Sequence, residues 1–163
     1  MPFDVQQLRT GDWQRVRKIR LRALAETPDA FGAVFATEEK SPDQVWQNRL
    51  KSEVAATFVA TSNNGDDIGL ITTAPYDEQV GLYSMWVAPE ARKQGVAGLL
   101  VDAVITWATS HGFKKLLLDV GDDNRAAIAL YASKGFTPTG VTGTLPPPRE
   151  QIHEHQQVLR LRS

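Results

Sequence analysis

The chain has 163 residues, 42% of them hydrophobic and 23% charged, with a formal net charge of −1. That is the size of one domain, with enough apolar residues for a sizeable core, and it lacks the basic surplus that holds nucleic acid or an anionic membrane. Cysteine is absent and histidine is limited to three, which excludes disulfides and thiolate sites and leaves no zinc-hydrolase pattern, so no metal is expected.

Phe3 to Leu8 alternates as a short strand. Asp12 then offers a helix N-cap, and Trp13, Val16, Ile19, Ala23 and Leu24 recur at helical spacing to about Glu26. The basic residues of this helix (Arg15, Arg17, Lys18, Arg20 and Arg22) read as a solvated face, with an anion-binding face as the alternative. Residues 29–40 read as irregular, with Phe31, Phe35 and the acidic pair Glu38-Glu39. Ser41 as cap and Pro42 at the first position open a second helix carrying Val45, Trp46 and Leu50. Thr57 to Thr61 and Ile68 to Thr72 form a hairpin around Asn63-Asn64-Gly65-Asp66. Val80 to Val87 is a longer strand that Pro89 ends. Gly95 to His111 is a helix, with Gly112 suited to its C-terminal cap. Leu116 to Val120 is a near-continuous apolar run, as in a central parallel strand. Asp122-Asp123 caps a further helix that ends at Lys134-Gly135. Strands over Phe136–Val141 and His155–Leu161 follow, separated by the exposed loop Pro146-Pro147-Pro148. This order predicts a mixed α/β fold: one domain over 1–163 with a central sheet and flanking helices. The Met1-Pro2-Phe3-Asp4 start lacks a signal-peptide pattern, and no apolar run approaches the ~18 residues of a membrane span, so a cytoplasmic location is expected.

The most informative stretch is Val87 to Leu100, VAPEARKQGVAGLL. A strand ends and a glycine turn opens a helix, where outward-pointing N–H groups and the helix dipole favour an anion such as pyrophosphate. Gly95, Ala97 and Gly98 permit close approach of a phosphate, and Arg92 and Lys93 add positive charge. A second segment, DVGDDNRAAIALYASKGF, sets Asn124, Ala127 and Tyr131 within one sector of a helix of about 60°. Taken alone, Tyr131 reads as a core tyrosine; two such segments in this order favour a functional reading.

The first segment resembles the acetyl-CoA-binding motif of the GNAT family of N-acetyltransferases: Arg or Gln, two residues, Gly, one residue, then Gly or Ala, here Arg92, Gly95 and Ala97. The second resembles that family's Asn, Ala, Leu-Tyr, Gly-Phe motif. The resemblance is specific over residues 84–136. It implies a mostly antiparallel sheet, acetyl-CoA as cosubstrate, and a cofactor site of Met85, Trp86, Val87, Arg92, Lys93, Gln94, Gly95, Val96, Ala97, Gly98, Asn124 and Tyr131. It also implies direct attack by an amine, a backbone N–H, that of Val87, polarising the thioester carbonyl at an interruption of the Met85-Trp86-Val87 strand, and Tyr131 protonating the departing thiolate.

The acceptor amine must lose a proton. Asp119 is one candidate base, with capping of the next loop as its alternative. Glu38 and Glu39, whose segment the resemblance puts over the acceptor side, are alternative bases and, with Phe35 beside them, candidates for binding a cationic acceptor, with ordinary solvated surface as their alternative. His153 and His155 share one face of the last strand and read as solvent-facing. Trp86 narrows the acceptor channel if its ring faces the pocket and is core if it faces away. The expected partner is a small-molecule amine or a peptide N-terminus, and the last strand offers a surface for a homodimer. The rival reading is a domain that binds acetyl-CoA without turnover. A further alternative transfers longer acyl chains.

Overall fold

A computed structural model describes residues 3–28 and 34–162. Strands β1 (Phe3–Gln7), β2 (Ala56–Ser62), β3 (Asp67–Tyr76), β4 (Gln79–Val87), β5 (Lys115–Gly121), β6 (Thr137–Thr144) and β7 (His153–Arg160) form one sheet in the order β1-β2-β3-β4-β5-β7-β6. Every neighbouring pair is antiparallel except β4 and β5. The helices are α1 (Trp13–Glu26), α2 (Phe35–Glu39), α3 (Asp43–Arg49), α4 (Val96–Ser110) and α5 (Arg125–Ser133).

The apolar stripe of α1 buries Val16, Ile19, Ala23 and Leu24 as its spacing predicts. Its basic face is not simply solvated. Arg15 pairs with Asp67, Arg20 with Glu38 and Arg22 with Glu90, and Arg17 donates to the Glu39 carbonyl. These partners come from distant segments, so helical spacing alone could not reveal them. Within 29–40, read as irregular, Phe35–Glu39 is a helical turn, while Phe31 lies outside the described residues.

Asp12 is the N-cap of α1 as expected, though its carboxylate accepts from the Arg9 N–H instead of from the helix. The other expected caps shift. Pro42, not Ser41, is the N-cap of α3, and Asn124, not the Asp122-Asp123 pair, caps α5 by accepting from Ala127 N–H at 3.3 Å. The last strand, β7, is enclosed between β5 and β6. The free edge on that side is β6, so β7 has no open edge for a dimer.

Two features of the sheet shape the site. Thr72 faces Tyr83 while Leu70 faces Trp86, so Ser84 and Met85 together oppose Ile71. This is a β-bulge, which bends a strand and re-aims its groups, and Ser84 sits in it at φ 57. Beyond it, β5 pairs with β4 only at Val80↔Leu116 and Gly81↔Leu117. The two strands then run on to Val87 and Gly121 unpaired with each other, and the sheet opens between them. Helix α4 seats close over β3 because Gly69 has no side chain: a Cβ there would meet Leu100 Cδ1 at 3.0 Å and Val96 Cγ1 at 3.1 Å.

Candidate active site

A cleft of about 1210 Å³ runs through the opening between β4 and β5. Met85, Asp119, Asn124, Ala127 and Tyr131 all line it, so the second sequence segment faces the cavity, while Trp86, Val87 and the turn from Arg92 to Gly98 are not part of its lining. The Ala88 N–H donates to Ile68 O at 2.8 Å. Successive residues of an antiparallel ladder turn their N–H groups to opposite sides, so the N–H of Val87 turns from β3 toward the opening. The strand interruption expected around Met85-Trp86-Val87 is centred on Ser84 and Met85.

At the end of β4 the chain turns into α4. Lys93 (φ 62) and Gly95 (φ 85) adopt left-handed conformations, and Gly95 is the N-cap with no side-chain cap over the first turn. A Cβ built on Gly95 meets nothing within 4 Å. The turn therefore leaves open space in front of the first N–H groups of α4, the arrangement that accepts a phosphate. Lys93 and Gln94 are exposed there. Val96 is buried under the turn and packs in the core.

Arg92 does not simply project as a phosphate-side charge. Its Nη2 donates to both Glu26 oxygens at 3.0 and 2.9 Å, and its Nε donates to Val87 O at 2.9 Å. Trp86 faces the same way: its Nε1 donates to Glu26 Oε2 at 2.9 Å and to Thr27, and Arg22 stacks 5.3 Å over its ring. The ring is core against the end of α1 and does not narrow the cleft.

The hydroxyl of Thr27, the Trp86 indole and the Arg92 guanidinium hold the Glu26 carboxyl down at about 2. A carboxyl depressed below its unfolded value of about 4.3 contributes stability above that value and loses it as the pH falls toward 2. Glu26→Gln is therefore expected to lower the melting temperature at pH 7 and to flatten its fall between pH 5 and 2.5. Glu26 is exposed, so solvent screening keeps the effect to about 1 kcal/mol or less. Thermal melts of both proteins across that range check this, and parallel curves would refute it.

Tyr131 is 5% exposed, and its ring meets Phe136 edge-on at 5.6 Å. Among the described residues its hydroxyl has no hydrogen-bond partner, while the residue lines the cleft. Burial raises its pKa above the ordinary phenol value, so the hydroxyl stays protonated.

Asp119 accepts from Tyr76 Oη at 3.2 and 3.1 Å, and Tyr76 Oη also accepts from Gln156 at 2.8 Å. Asp119 is thus held in the cleft by a side-chain network. Glu154, which the sequence reading passed over, lines the same cavity from β7, half-buried. Burial raises its pKa first, and Asp119 and Asp122 raise it further against the opposing effect of Arg149. Its only sequence signal is an acidic residue between two histidines on an alternating strand. His153 is exposed at the rim of the cleft, and His155 is tied by Nδ1 to Asp122 at 2.8 Å.

Glu38 is neither solvated surface nor a free carboxylate for a cationic acceptor. It is 7% exposed and binds Arg20 (2.6 and 3.0 Å) and Arg49 (3.1 Å). Burial pushes its carboxyl up, but Arg20 and then Arg49 outweigh this and hold it below its ordinary value. Phe35 packs against the core, and Glu39 is exposed. Neither these two nor Glu38 line the cleft. Among the described residues, no group of three or more His, Asp and Glu is placed to hold a metal ion.

The model of the Acetyltransferase (GNAT) family matches residues 13–136, which include the opened strands, the glycine turn and Tyr131. The chain belongs to the GNAT family. Among curated relatives, human N-acetyltransferase 8 is 32% identical over 95 residues, 55% of this chain and 42% of that protein. Mycothiol acetyltransferase of Jonesia denitrificans is 36% identical over 64 residues, 39% of this chain and 20% of that one. The chain thus matches less than half the length of these relatives. Among solved GNAT structures, a Streptococcus pneumoniae acetyltransferase superposes with TM-score 0.80 at 19% identity, over 98% of this chain and 99% of that one. Spermidine N-acetyltransferase of Vibrio cholerae, in complex with CoA and spermine, superposes with TM-score 0.76 at 14% identity, over 98% and 95%. The GNAT fold therefore spans the whole domain; the element order predicted its mixed α/β class, and the family resemblance its mostly antiparallel sheet.

Proposed function

We propose that this GNAT domain is an N-acetyltransferase that moves an acetyl group from acetyl-CoA to the primary amine of a small molecule or a peptide N-terminus. The observation that carries this is the opening between β4 and β5, lined by a buried, protonated Tyr131, with β4 running on in the chain into the open glycine turn. Acetyl-CoA fits the turn, and when bound it supplies an acyl group already activated as a thioester.

The residues divide the remaining work. The first N–H groups of α4, with Lys93 and Gln94 beside them, hold the pyrophosphate. The Val87 N–H polarises the carbonyl. The amine nitrogen forms the new bond to the carbonyl carbon, the carbon–sulfur bond breaks, and Tyr131 gives its proton to the sulfur. A dry site penalises a thiolate as it penalises a phenolate, so burial of Tyr131 does not widen the gap of about 1.5 units between a free phenol and a free thiol.

The acceptor's proton goes to Glu154 or Asp119. Glu154 suits the base better, because its raised pKa brings it closer to the operating range of a general base. The rate of the wild-type enzyme is then expected to fall on the acid side through a pKa above the ordinary carboxylate value. Glu154→Gln should remove that acid limb and lower kcat/KM about 10²-fold. A limb that survives in Glu154→Gln and disappears in Asp119→Asn would assign the proton to Asp119 instead. The proposal as a whole is tested by thiol release from acetyl-CoA across a panel of amines. CoA binding with no amine-dependent release would leave a binding domain.

A further inference from the structure

We infer that the acceptor carries an amine and a carboxylate in one small molecule, an amino-acid-like zwitterion, with its carboxylate against Arg20 and Arg49 and its amine toward Asp119 and Glu154. This rests on the acetyltransferase reading and names the substrate class that reading leaves open.

The cleft has two walls of opposite charge. Arg20 of α1 and Arg49 of α3 line one side, and Asp119 and Glu154 line the other. Both walls stand on the same face of the sheet. Thr72 pairs with Tyr83, Gly81 with Leu117 and Asp119 with Gln156. Side chains alternate along strands and match across them, so Thr72, Tyr83, Asp119 and Gln156 point to one side, as does Glu154, two residues before Gln156. Thr72 and Tyr83 line the cleft with Arg20 and Arg49.

The positive wall is not neutralised from within. Glu38 brings one negative charge to two guanidiniums. Arg20 commits three of its five N–H donors, two to Glu38 and one to Ser84 Oγ at 2.7 Å. Arg49 commits one to Glu38 and lies 4.3 Å over the Trp46 ring, which fixes its plane. The wall keeps a surplus of one positive charge, with pre-oriented donors suited to a carboxylate. A polyamine would bring a second cation to that wall, which sets this cleft apart from one built for spermidine. Val16 of α1 and Leu70, two residues before Thr72 on β3, also line the cavity and offer an apolar bed for a side chain.

The test uses the full chain, with phenylalanine, phenethylamine and spermidine as acceptors. Each is read by thiol release at saturating acetyl-CoA and by calorimetric titration onto the CoA-loaded protein. Phenylalanine is expected to exceed phenethylamine, and spermidine to trail both, by on the order of 10-fold or more in kcat/KM and in affinity. Arg49→Gln should reduce the phenylalanine preference to within about 3-fold, and Arg49→Lys should restore part of it. Equal or better use of phenethylamine, a preference that survives Arg49→Gln, or no binding of any of the three overturns the carboxylate assignment. In the first two cases measurable thiol release leaves the acetyltransferase reading standing. A binding preference without thiol release from any amine removes the acetyltransferase reading while the carboxylate site stands.

Discussion

Gly95→Glu protein is expected to fold and to bind CoA at least about 10-fold more weakly than Gly95→Ala protein. Both substitutions place a Cβ at φ 85, a conformation costing an L-residue about 1–2 kcal/mol. Both find open space around that Cβ, so neither collides with the fold. They differ in what the longer side chain does in that space. A carboxylate about 5 Å from a phosphate is repelled by roughly 1–3 kcal/mol, between the limits of bulk water and a protein surface, which is about 10- to 10²-fold in affinity. The alanine variant measures the strain, and the gap between the two variants measures the charge. Calorimetric titration of CoA onto each folded variant decides the matter. Equal affinities would move the pyrophosphate away from this turn.

The parts of the fold that were legible in the sequence are those written in local periodicity. The span of α4, the strand over Leu116 to Val120 and the glycine at the start of α4 each follow from residues within one element, and each stands where expected, although β5 is parallel only to β4 and antiparallel to β7. What was not legible depends on pairing between distant segments. Glu38 looks like a surface acid beside Glu39 until α1 and α3 bring Arg20 and Arg49 against it. Arg92 looks like a phosphate ligand until Glu26, at the end of α1, takes its guanidinium. Glu154 becomes a cleft residue only through the register of β7 on β5, which sets Gln156 beside Asp119 and Glu154 beside Gly121. The glycine turn and the helix of Tyr131 were legible because each is built from consecutive residues. The charges that line the cleft, in contrast, are assembled from α1, α3, β5 and β7, and Phe35, Glu38 and Glu39 are not among its lining.

Tyr131→Phe is expected to lower turnover about 10²-fold or more while leaving CoA affinity within about 3-fold of wild type. The ring sits edge-on to Phe136 in a nearly closed site, and phenylalanine preserves that packing. The hydroxyl has no hydrogen-bond partner among the described residues, so its loss leaves no buried donor or acceptor unsatisfied and the melting temperature should change little. A group that acts only as the thiolate departs contributes to the transition state and not to the ground-state complex. The defect should accordingly fall on kcat, and removal of a general acid typically costs 10²- to 10⁴-fold. Single-turnover measurement with the enzyme in excess isolates the chemical step from product release. A Tyr131→Phe enzyme with wild-type single-turnover rate would return Tyr131 to a packing role and pass the sulfur's proton to another donor in the cleft.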